Sequence, residues 1–492
     1  MNMPLIHAPE FPDGLVWLNI DRPLRLSEEL RGQVVVLDFW TYCCINCLHV
    51  IPDLARLEAK YRHDPVTFIG VHSNKYDNEA HPENVAQAIL RYGITHPVVV
   101  DDEHVIWGMY GVSAWPTLVV IDSAGYIIAV WSGEGHGEEL DRLIAGLLEL
   151  GRQHDTLAAE PVATQPLQMA ETDSRLLFPG KVLADPAGRR LFIADSGHHR
   201  ILVTDYEGKL QGFMGSGVAG LLDGSYEDAR LRNPQGMALF GSTLYVADTD
   251  NHAVRQIDLA SYHMHTTVGN GMIGYDRRGG HRGRDQVLNS PWDVAFLNGL
   301  LYIALAGLHQ IWSYDPQTQV AEVKIGTGRE NITDNAARKS ALAQTSGLSA
   351  ADGKLYFADS ETSAVRVYDP DADAVQTIVG KGLFVFGDAD GPADGALLQH
   401  PLGVAARGSD LFVADSYNHK IRHIDLTTGR VRTVVGEGVP GTERNGTLLL
   451  YEPGGLSLNG RDLFIADTNN HRIIRYRLDT GAWNEVRPLL GR

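Results

Sequence analysis

Three cysteines are the residues of this 492-residue chain whose type and spacing could do chemistry. Cys43, Cys44 and Cys47 are its only cysteines, and they end the stretch VVVLDFWTYCCINC, which begins as a predicted buried strand. Because no other thiol exists, the chain cannot build a disulfide framework. The cluster therefore indicates thiol redox chemistry, metal binding or a chance grouping.

The spacing of Cys44 and Cys47 favours redox chemistry. Residues at i and i+3 on the first turn of a helix lie on one side, close enough for a disulfide, and the first of them faces unpaired backbone N–H groups. These donors stabilise a thiolate, and the pKa in such motifs ranges from roughly 3.5 to 7.5. Cys44 is the candidate nucleophile. A structural metal site needs four ligands, and only His49 is added nearby; haem attachment needs histidine where Leu48 stands.

The elements that must position these cysteines form a predicted domain over residues 1–151. Apolar runs at 34–40, 66–73, 96–102, 117–122 and 126–133 alternate with segments of helical periodicity. Such alternation predicts a mostly parallel central sheet that is covered on both faces.

Two motifs in this domain resemble the thioredoxin fold family. The segment from Asp38 to Cys47 is similar to the family's active-site strand and C-x-x-C turn, and Trp115-Pro116-Thr117 is similar to its cis-proline turn. The opening residues 14–40 are closer to the TlpA-like and peroxiredoxin-like branch. The resemblance implies that Cys44 attacks a substrate disulfide and Cys47 resolves the mixed disulfide. It also implies that Asp38 accepts or relays the proton of Cys47 and that Pro116 borders the sulfurs.

The same resemblance assigns substrate contacts and exposes two departures. Trp40, Trp115 and Thr117 are expected to bind substrate. Cys43 replaces a tryptophan of the family and Asn46 replaces a proline, so both are expected to modulate the site, and the redox potential cannot be carried over. Cys43 could bridge to Cys44, hold a mixed disulfide or be a buried bystander. A redox-inactive thioredoxin fold that is retained for binding is the alternative.

The remainder of the chain is a sixfold repeat. Segments of the type LFVADSYNHKI begin at residues 191, 244, 301, 355, 411 and 463. Each repeat reads as four short strands separated by turns, which predicts a six-bladed antiparallel β-propeller over residues 176–492. Residues 152–175 are polar, contain prolines and are predicted to be a linker.

The repeats resemble NHL repeats through Asn251-His252, Asn418-His419 and Asn470-His471. The third repeat has Leu305 in place of the recurring aspartate, and the fourth repeat has Thr362-Ser363 in place of Asn-His. These departures put the geometry of the two turns in question. Aspartates that recur once per blade lie around a ring and cannot converge on one ligand. We expect them to accept N–H groups of their turns.

Charge and loops limit the possible partners. The net charge of −19 disfavours nucleic acid and membrane surfaces. Glycine-rich connections between blades are expected to bind a protein partner or a disulfide substrate. The locally basic stretch 269–285 is either a solvated loop or a contact for an acidic partner. The N-terminal residues lack the pattern of a signal peptide and no apolar run spans a bilayer, so the cytoplasm is the expected location.

The order of domains resembles the NHL-repeat-containing protein 2 family over almost the whole chain. The expected fold is multidomain: an α/β thioredoxin-like domain and an all-β six-bladed NHL propeller. The expected function is thiol–disulfide exchange on protein disulfides, with the propeller docking the partner and with no cofactor or metal. One alternative is a redox-inactive scaffold. Another is a propeller hydrolase or lyase, for which Asp293 and His400 are the few candidate channel ligands. The oligomeric state stays open.

Overall fold

The computed structural model describes residues 6–169 and 174–489. The chain divides into two compact units, Met1–Glu171 and Thr172–Arg492. Unit one contains the cysteines and unit two contains the repeats.

Unit one is a mixed sheet with helices on its faces. Its elements, in chain order, are β1 (Ile6–His7), β2 (Trp17–Leu18), β3 (Val34–Trp40), α1 (Ile45–Tyr61), β4 (Val66–His72), a 3₁₀ turn (Asp77–Ala80), α2 (Pro82–Tyr92), β5 (Val98–Val100), α3 (Val105–Met109), β6 (Thr117–Ile121), β7 (Tyr126–Ser132) and α4 (Gly137–His154). The strand order is β1-β7-β6-β3-β4-β5-β2.

The prediction of a mostly parallel sheet was wrong. Only β3–β4 and β4–β5 pair in parallel, and the other four pairings are antiparallel. The physical reason is the connection length. α1 and α2 provide long crossovers between parallel neighbours, whereas Asp122 to Gly125 form a tight turn that makes β6 and β7 a hairpin.

Each face of strand β3 packs into a different core. Val35, Leu37 and Phe39 belong to one buried cluster. Val34 and Val36 belong to the other, together with apolar residues of α1 and α4. Since side chains alternate along a strand, Asp38 and Trp40 lie on the face that α1 covers.

The segment after α4 lacks regular structure but is hydrogen-bonded to unit one. α4 ends at His154, three residues beyond the predicted domain end. The amide of Ala158 donates to the Gly32 carbonyl at 2.9 Å, and the amide of Leu167 donates to the Asn19 side chain at 2.8 Å. Within the predicted linker 152–175, residues 170–173 lie outside the described residues.

Unit two is a six-bladed β-propeller of antiparallel blades. Blade one contains β8 (Lys181–Asp185), β9 (Arg190–Asp195), β10 (Arg200–Asp205) and β11 (Leu210–Met214), and blade two contains β12 (Gly224–Ser225), β13 (Pro234–Phe240), β14 (Thr243–Asp248), β15 (Ala253–Asp258) and β16 (His263–Val268). Blade three contains β17 (Gly279–Arg282), β18 (Pro291–Leu297), β19 (Leu300–Leu305), β20 (Gln310–Asp315) and β21 (Val320–Ile325), and blade four contains β22 (Thr345–Ala351), β23 (Lys354–Asp359), β24 (Ala364–Asp369) and β25 (Ala374–Val379). Blade five contains β26 (Gly391–Pro392), β27 (Gly403–Arg407), β28 (Asp410–Asp415), β29 (Lys420–Asp425) and β30 (Arg430–Val435); a short hairpin of β31 (Glu443–Arg444) and β32 (Thr447–Leu448) follows, and blade six contains β33 (Pro453–Asn459), β34 (Asp462–Asp467), β35 (Arg472–Arg477) and β36 (Trp483–Val486).

The blades close into a ring. The innermost strands of consecutive blades contact one another, and β33 of the sixth blade contacts β8 of the first. The amide of Leu210 also donates to the carbonyl of Leu489 at 2.9 Å, which ties the chain end to the first blade. Apolar residues of neighbouring blades share cores, as β14 and β19 do. The predicted six-bladed propeller is thus confirmed.

The NHL histidine, or a serine in the fourth blade, connects each blade to the next. All six turns between the second and third strands of a blade are 3₁₀ helices that end in a residue of positive φ, including His252 at 45° and Ser363 at 48°. The His252 Nδ1 accepts the amide of Ser290 in the following blade at 3.1 Å. In blade four the Ser363 hydroxyl replaces the imidazole and accepts a hydrogen bond from the His400 amide at 3.2 Å. Both divergent turns, at Leu305 and Ser363, therefore keep the common geometry.

The recurring aspartates are structural, although the backbone amides that they bind lie at the start of the blade and not in their own turns. Asp248 Oδ1 accepts the amide of Arg232 at 2.7 Å, at the start of its blade. Asp248 Oδ2 accepts from Asn251 at 2.8 Å and from the buried Arg255 at 2.9 Å. Blade three lacks this charge pair. Leu305 replaces the aspartate, and Trp312 stands seven residues later, in the position of the arginine.

Candidate active site

The C-x-x-C pair lies at the start of α1. Cys44 is the N-cap residue, with φ −83° and ψ 113°, and its carbonyl accepts the amides of Cys47 at 3.0 Å and Leu48 at 3.2 Å. Cys44 is partly exposed, whereas Cys47 is fully buried, and all three cysteines are free thiols. The accessible sulfur is therefore the first of the pair, and the second is reached only through it.

Asp38 is the ionisable group behind the pair. Its side chain is 3% exposed, and burial raises its pKa to about 7, while His96 opposes and Glu58 adds to the increase. Burial also raises the pKa of the Cys47 thiol well above its usual range, as do its hydrogen bond to Cys44 and the charge of Asp38. A carboxyl that titrates near neutrality beside a thiol that resists ionisation can act as that thiol's proton acceptor.

The predicted proline turn precedes β6, next to β3. The Trp115–Pro116 peptide bond is cis. The Trp115 indole donates to the Ser73 carbonyl at 2.9 Å and leaves part of its surface exposed. Thr117 is buried and its hydroxyl donates to the Ala114 carbonyl at 2.8 Å, so this side chain holds the turn and has no surface for a substrate.

Trp40, expected to contact substrate, lies in the interior. It is 1% exposed, and its ring packs edge-on against His72 with centroids 4.9 Å apart. The indole nitrogen of Trp40 and both ring nitrogens of His72 have no hydrogen-bond partner among the described residues. Burial lowers the pKa of His72 to about 3, so this imidazole stays neutral. Trp40 therefore has no surface for a substrate.

Cys43 is anchored through its backbone. The thiol is 3% exposed and lies 3.9 Å from the Thr41 hydroxyl, and burial raises its pKa well above the usual range. Its amide donates to Glu79 Oε1 at 2.8 Å, while Glu79 Oε2 accepts two amides of the loop after β4, those of Lys75 at 2.9 Å and Tyr76 at 3.1 Å. Burial raises the pKa of Glu79, and these hydrogen bonds oppose the increase.

Two further residues of α1 border the pair. Asn46 is partly exposed between the cysteines. His49 Nδ1 lies 2.5 Å from Glu134 Oε2, and the neighbouring Gly133 amide donates to the Pro116 carbonyl at 2.8 Å. His49, the one extra metal-ligand candidate, is thus paired with Glu134, whose neighbour Gly133 binds the carbonyl of Pro116.

Sequence reasoning missed Glu79, His96 and Glu58. His96 is 5% exposed and its Nδ1 lies 2.7 Å from Glu58 Oε1. No local motif marks these residues, because Glu79 and His96 lie 36 and 58 positions from Cys43 and Asp38 in the chain. Only the general rule that residues after parallel strands gather at one sheet edge could have suggested the loop that contains Glu79.

In the part of the chain that the structure describes, neither candidate channel residue belongs to a group that could hold a metal ion. Asp293, one of the two channel candidates, is 2% exposed and forms an ion pair with Lys181 of the first blade. His400 stacks on Tyr417 with ring centroids 4.6 Å apart. Among residues 6–169 and 174–489, no group of three or more His, Cys, Asp or Glu side chains is arranged to hold a metal ion.

Comparison with protein families identifies both units. A thioredoxin-like family model matches residues 32–127, and an NHL-repeat model matches residues 450–476. Within the described part of the chain, no helix is long and apolar enough to cross a membrane.

Three curated relatives show how far the similarity extends. The chain is 44% identical over 98% of its length to Protein SUPPRESSOR OF QUENCHING 1, chloroplastic, of Arabidopsis thaliana, but spans only 48% of that protein. Residues of unit one are 32% identical, over 21% of the chain and 57% of the relative, to the thiol-disulfide oxidoreductase ResA of Halalkalibacterium halodurans. NHL repeat-containing protein 2 of Bos taurus is 41% identical over 96% of this chain and 70% of its own length. With both units and their order shared, the chain belongs to the NHL repeat-containing protein 2 family.

Proposed function

We propose that this protein is a thiol–disulfide oxidoreductase that acts on protein disulfides, and that the propeller binds the partner. One observation carries the proposal: a partly exposed Cys44 caps α1, and the buried Cys47 lies on the first turn of α1, which covers the face of β3 that bears the buried Asp38. The similarity of unit one to a thiol-disulfide oxidoreductase of Halalkalibacterium halodurans supports it.

The reaction starts from the reduced pair. The Cys44 thiolate attacks one sulfur of the substrate disulfide, forms a Cys44–substrate disulfide, and releases the other substrate sulfur as a thiolate that takes up a proton. Cys47 then transfers its proton to Asp38 and attacks Cys44. The new Cys44–Cys47 bond replaces the Cys44–substrate bond, whose electron pair leaves with the second substrate thiolate. Two electrons pass to the substrate, and an external dithiol restores the reduced pair.

The propeller supplies a surface suited to a protein partner. Exposed apolar side chains recur in the connections between blades, among them Val218, Met272, Phe384 and Val439, which are 40% to 62% exposed. Loops on a rigid scaffold commonly carry recognition, and apolar side chains at their tips favour a protein over a nucleic acid. We propose that these tips contact the polypeptide that bears the disulfide.

The test compares disulfide reduction by wild type, Cys44→Ser and Cys47→Ser, with dithiothreitol as the electron source and insulin as the disulfide substrate. We expect Cys44→Ser to fall to the uncatalysed rate, because the remaining thiols are buried. We expect Cys47→Ser to accumulate a covalent adduct through Cys44, since its resolving thiol is gone. Uncatalysed rates for all three proteins would leave the scaffold alternative as the better account.

The role of the propeller is tested separately. The double change Met272→Ser and Phe384→Ser should weaken reduction of a protein substrate while leaving the reaction with a small disulfide unchanged. Equal rates for both substrates in the variant and the wild type would argue against docking through these tips.

Chemistry of this kind needs a compartment that keeps the pair reduced. We propose the cytoplasm, where thiols are kept reduced. The name of the Arabidopsis relative places that protein in the chloroplast. Microscopy of the tagged full-length protein distinguishes these two locations.

A further inference from the structure

The carboxyl of Asp38 is almost completely enclosed. Its side chain is 3% exposed, and Oδ1 has no hydrogen-bond partner in the described part of the chain. Each turnover nevertheless delivers one proton to this carboxyl if it serves Cys47 as proposed above. The proton must leave before Asp38 can act again, and a titratable neighbour that reaches the surface would carry it away.

His96 lies where such a carrier is needed. Asp38 pairs in register with Gly70 on the adjacent parallel strand. A Cβ atom on Gly70 would lie 3.3 Å from His96 Nε2 and 2.9 Å from Trp40 Nε1, so the imidazole reaches the space directly beside the Asp38 position. Only glycine leaves this approach open. The charge of His96 also lowers the pKa of Asp38.

The other side of His96 leads to the surface. Its Nδ1 lies 2.7 Å from Glu58 Oε1, and Thr95 donates to Glu58 Oε2 at 3.0 Å. The His96 side chain is 5% exposed and that of Glu58 is 19% exposed. Because a carboxylate accepts at Nδ1, this nitrogen carries the proton of the neutral ring, and Nε2 keeps a lone pair toward the interior.

We propose that Glu58 and His96 form a proton relay between Asp38 and solvent, an inference that rests on the proposed oxidoreductase function. After Cys47 has given its proton to Asp38, the carboxyl passes it to His96 Nε2, directly or through one bridging water. His96 releases the Nδ1 proton to Glu58, which passes it to solvent. No group changes its oxidation state in these proton transfers. The reverse sequence supplies a proton when the disulfide is reduced again.

Other polar groups around Asp38 are less suited to this task. On its own strand, Trp40 offers only an indole N–H. On β4, His72 has both nitrogens buried, and burial lowers its pKa to about 3, so it does not take up a proton near neutrality. Cys47 of α1 is the proton donor itself, and Leu118, opposite Asp38 on β6, is apolar. His96 and Glu58 are the titratable pair that connects this face with the surface.

The test uses the reduced full-length protein and an aromatic disulfide, 5,5′-dithiobis(2-nitrobenzoate). Attack by Cys44 releases a first coloured thiolate, and attack by Cys47 releases a second, so two phases report the two steps. We expect His96→Gln and Glu58→Gln to leave the first phase unchanged and to slow the second at pH 7 by at least about tenfold, within the range of lost acid–base assistance. His63→Gln and Glu138→Gln, at exposed positions of the same unit, are the matched controls.

The Glu58 variant separates a relay from simple electrostatics. Since Glu58 adds to the raised pKa of Asp38, Glu58→Gln lowers that pKa and makes the base more available at pH 7. Electrostatics alone would then speed the second phase, whereas loss of a relay slows it. A faster or unchanged second phase in Glu58→Gln overturns the relay.

A second measurement does not depend on activity. Carbon-detected NMR of the Asp38 carboxyl should show its pKa moving up in His96→Gln and down in Glu58→Gln. Unchanged titration in both folded variants overturns the coupling. A wild type that never releases the second thiolate refutes the proposed function instead, so the two failures are distinguishable.

Discussion

Buried aspartates occur in both units, and their surroundings are opposite. In the propeller, Asp248 is bound by a backbone amide, an asparagine and a fully buried arginine, and the same arrangement recurs at Asp415. In the thioredoxin-like unit, Asp38 Oδ1 and the Trp40 indole nitrogen have no hydrogen-bond partner among the residues that the structure describes. In the propeller the carboxylate is held by N–H donors and a buried cation, although burial raises the pKa of Asp248 to about 6. The thioredoxin-like unit keeps a carboxyl whose proton can move.

The difference teaches where a buried polar group points to function. A buried charge is tolerated when paired, and a repeated, fully paired aspartate holds a fold together. A buried carboxyl without an ion pair costs stability and persists where its titration is of use. Blade three supports a structural role for the propeller aspartates. It lacks both the aspartate and the arginine, and the buried apolar residues Leu305 and Trp312 occupy the same two positions.

The largest effect is expected when an unpaired charge is placed in the propeller. Leu305→Asp buries a carboxylate with no arginine nearby and should lower the free energy of unfolding by about 3–5 kcal/mol. Urea unfolding of the full chain measures the loss. Leu305→Asn is the control, because asparagine has the shape of aspartate without its charge. The difference between the two variants gives the cost of the charge apart from the lost packing of leucine.

The matching arginine should recover part of this loss. Leu305→Asp combined with Trp312→Arg should show a favourable coupling of about 1–3 kcal/mol in a double-mutant cycle. Additive losses would mean that the charge pair of the other blades cannot be transplanted, and the comparison would weaken.

Removing the charge of Asp38 should instead stabilise the protein at high pH. The folded pKa is raised to about 7 from an ordinary 3.8. The wild type therefore loses stability as pH rises from about 4 to about 7, while Asp38→Asn does not. The variant should be more stable by about 4 kcal/mol at pH 8, with the advantage vanishing near pH 4.

Urea unfolding at these two pH values measures the difference for Asp38→Asn. A variant that is less stable than the wild type at pH 8 would show that Asp38 is paired as the propeller aspartates are.

A smaller loss is expected at the joint between blades. His252→Ala removes the acceptor of the Ser290 amide and places alanine at a positive φ, so it should cost about 1–2 kcal/mol. His252→Asn keeps the tolerance for positive φ and should cost less. Thermal unfolding ranks the three proteins, and equal costs for Ala and Asn would assign the whole effect to the lost acceptor.

The smallest effect concerns the third cysteine. Cys43 meets Glu79 through its backbone amide, which alanine also provides. Cys43→Ala should therefore reduce insulin within about twofold of the wild-type rate, less than 0.5 kcal/mol in the barrier. A large loss would place the Cys43 thiol in the exchange reaction and add a second reactive group to the thioredoxin-like unit.

Periodicity and repetition are sufficient to predict most of the architecture. The second strand of each blade starts within a residue of the predicted repeat, and β3 covers the predicted residues 34–40. Strand direction was less predictable: the balance of parallel and antiparallel pairs depends on which connections cross over, and apolar runs do not encode that choice. The turn at Ser363 also escaped prediction, because a serine hydroxyl takes the place of an imidazole acceptor.

The sequence by itself determined the chemistry that is available: a C-x-x-C pair after a buried strand, an acid six residues before it, and a repeat too regular for anything but a ring of blades. Tertiary structure decided which groups serve that chemistry. Trp40 is buried, Glu79 holds the Cys43 amide, and His96 reaches the Asp38 position across Gly70. Spacing along one strand or helix is local and readable, whereas burial and contacts between distant segments arise only when the sheet and its helices pack together.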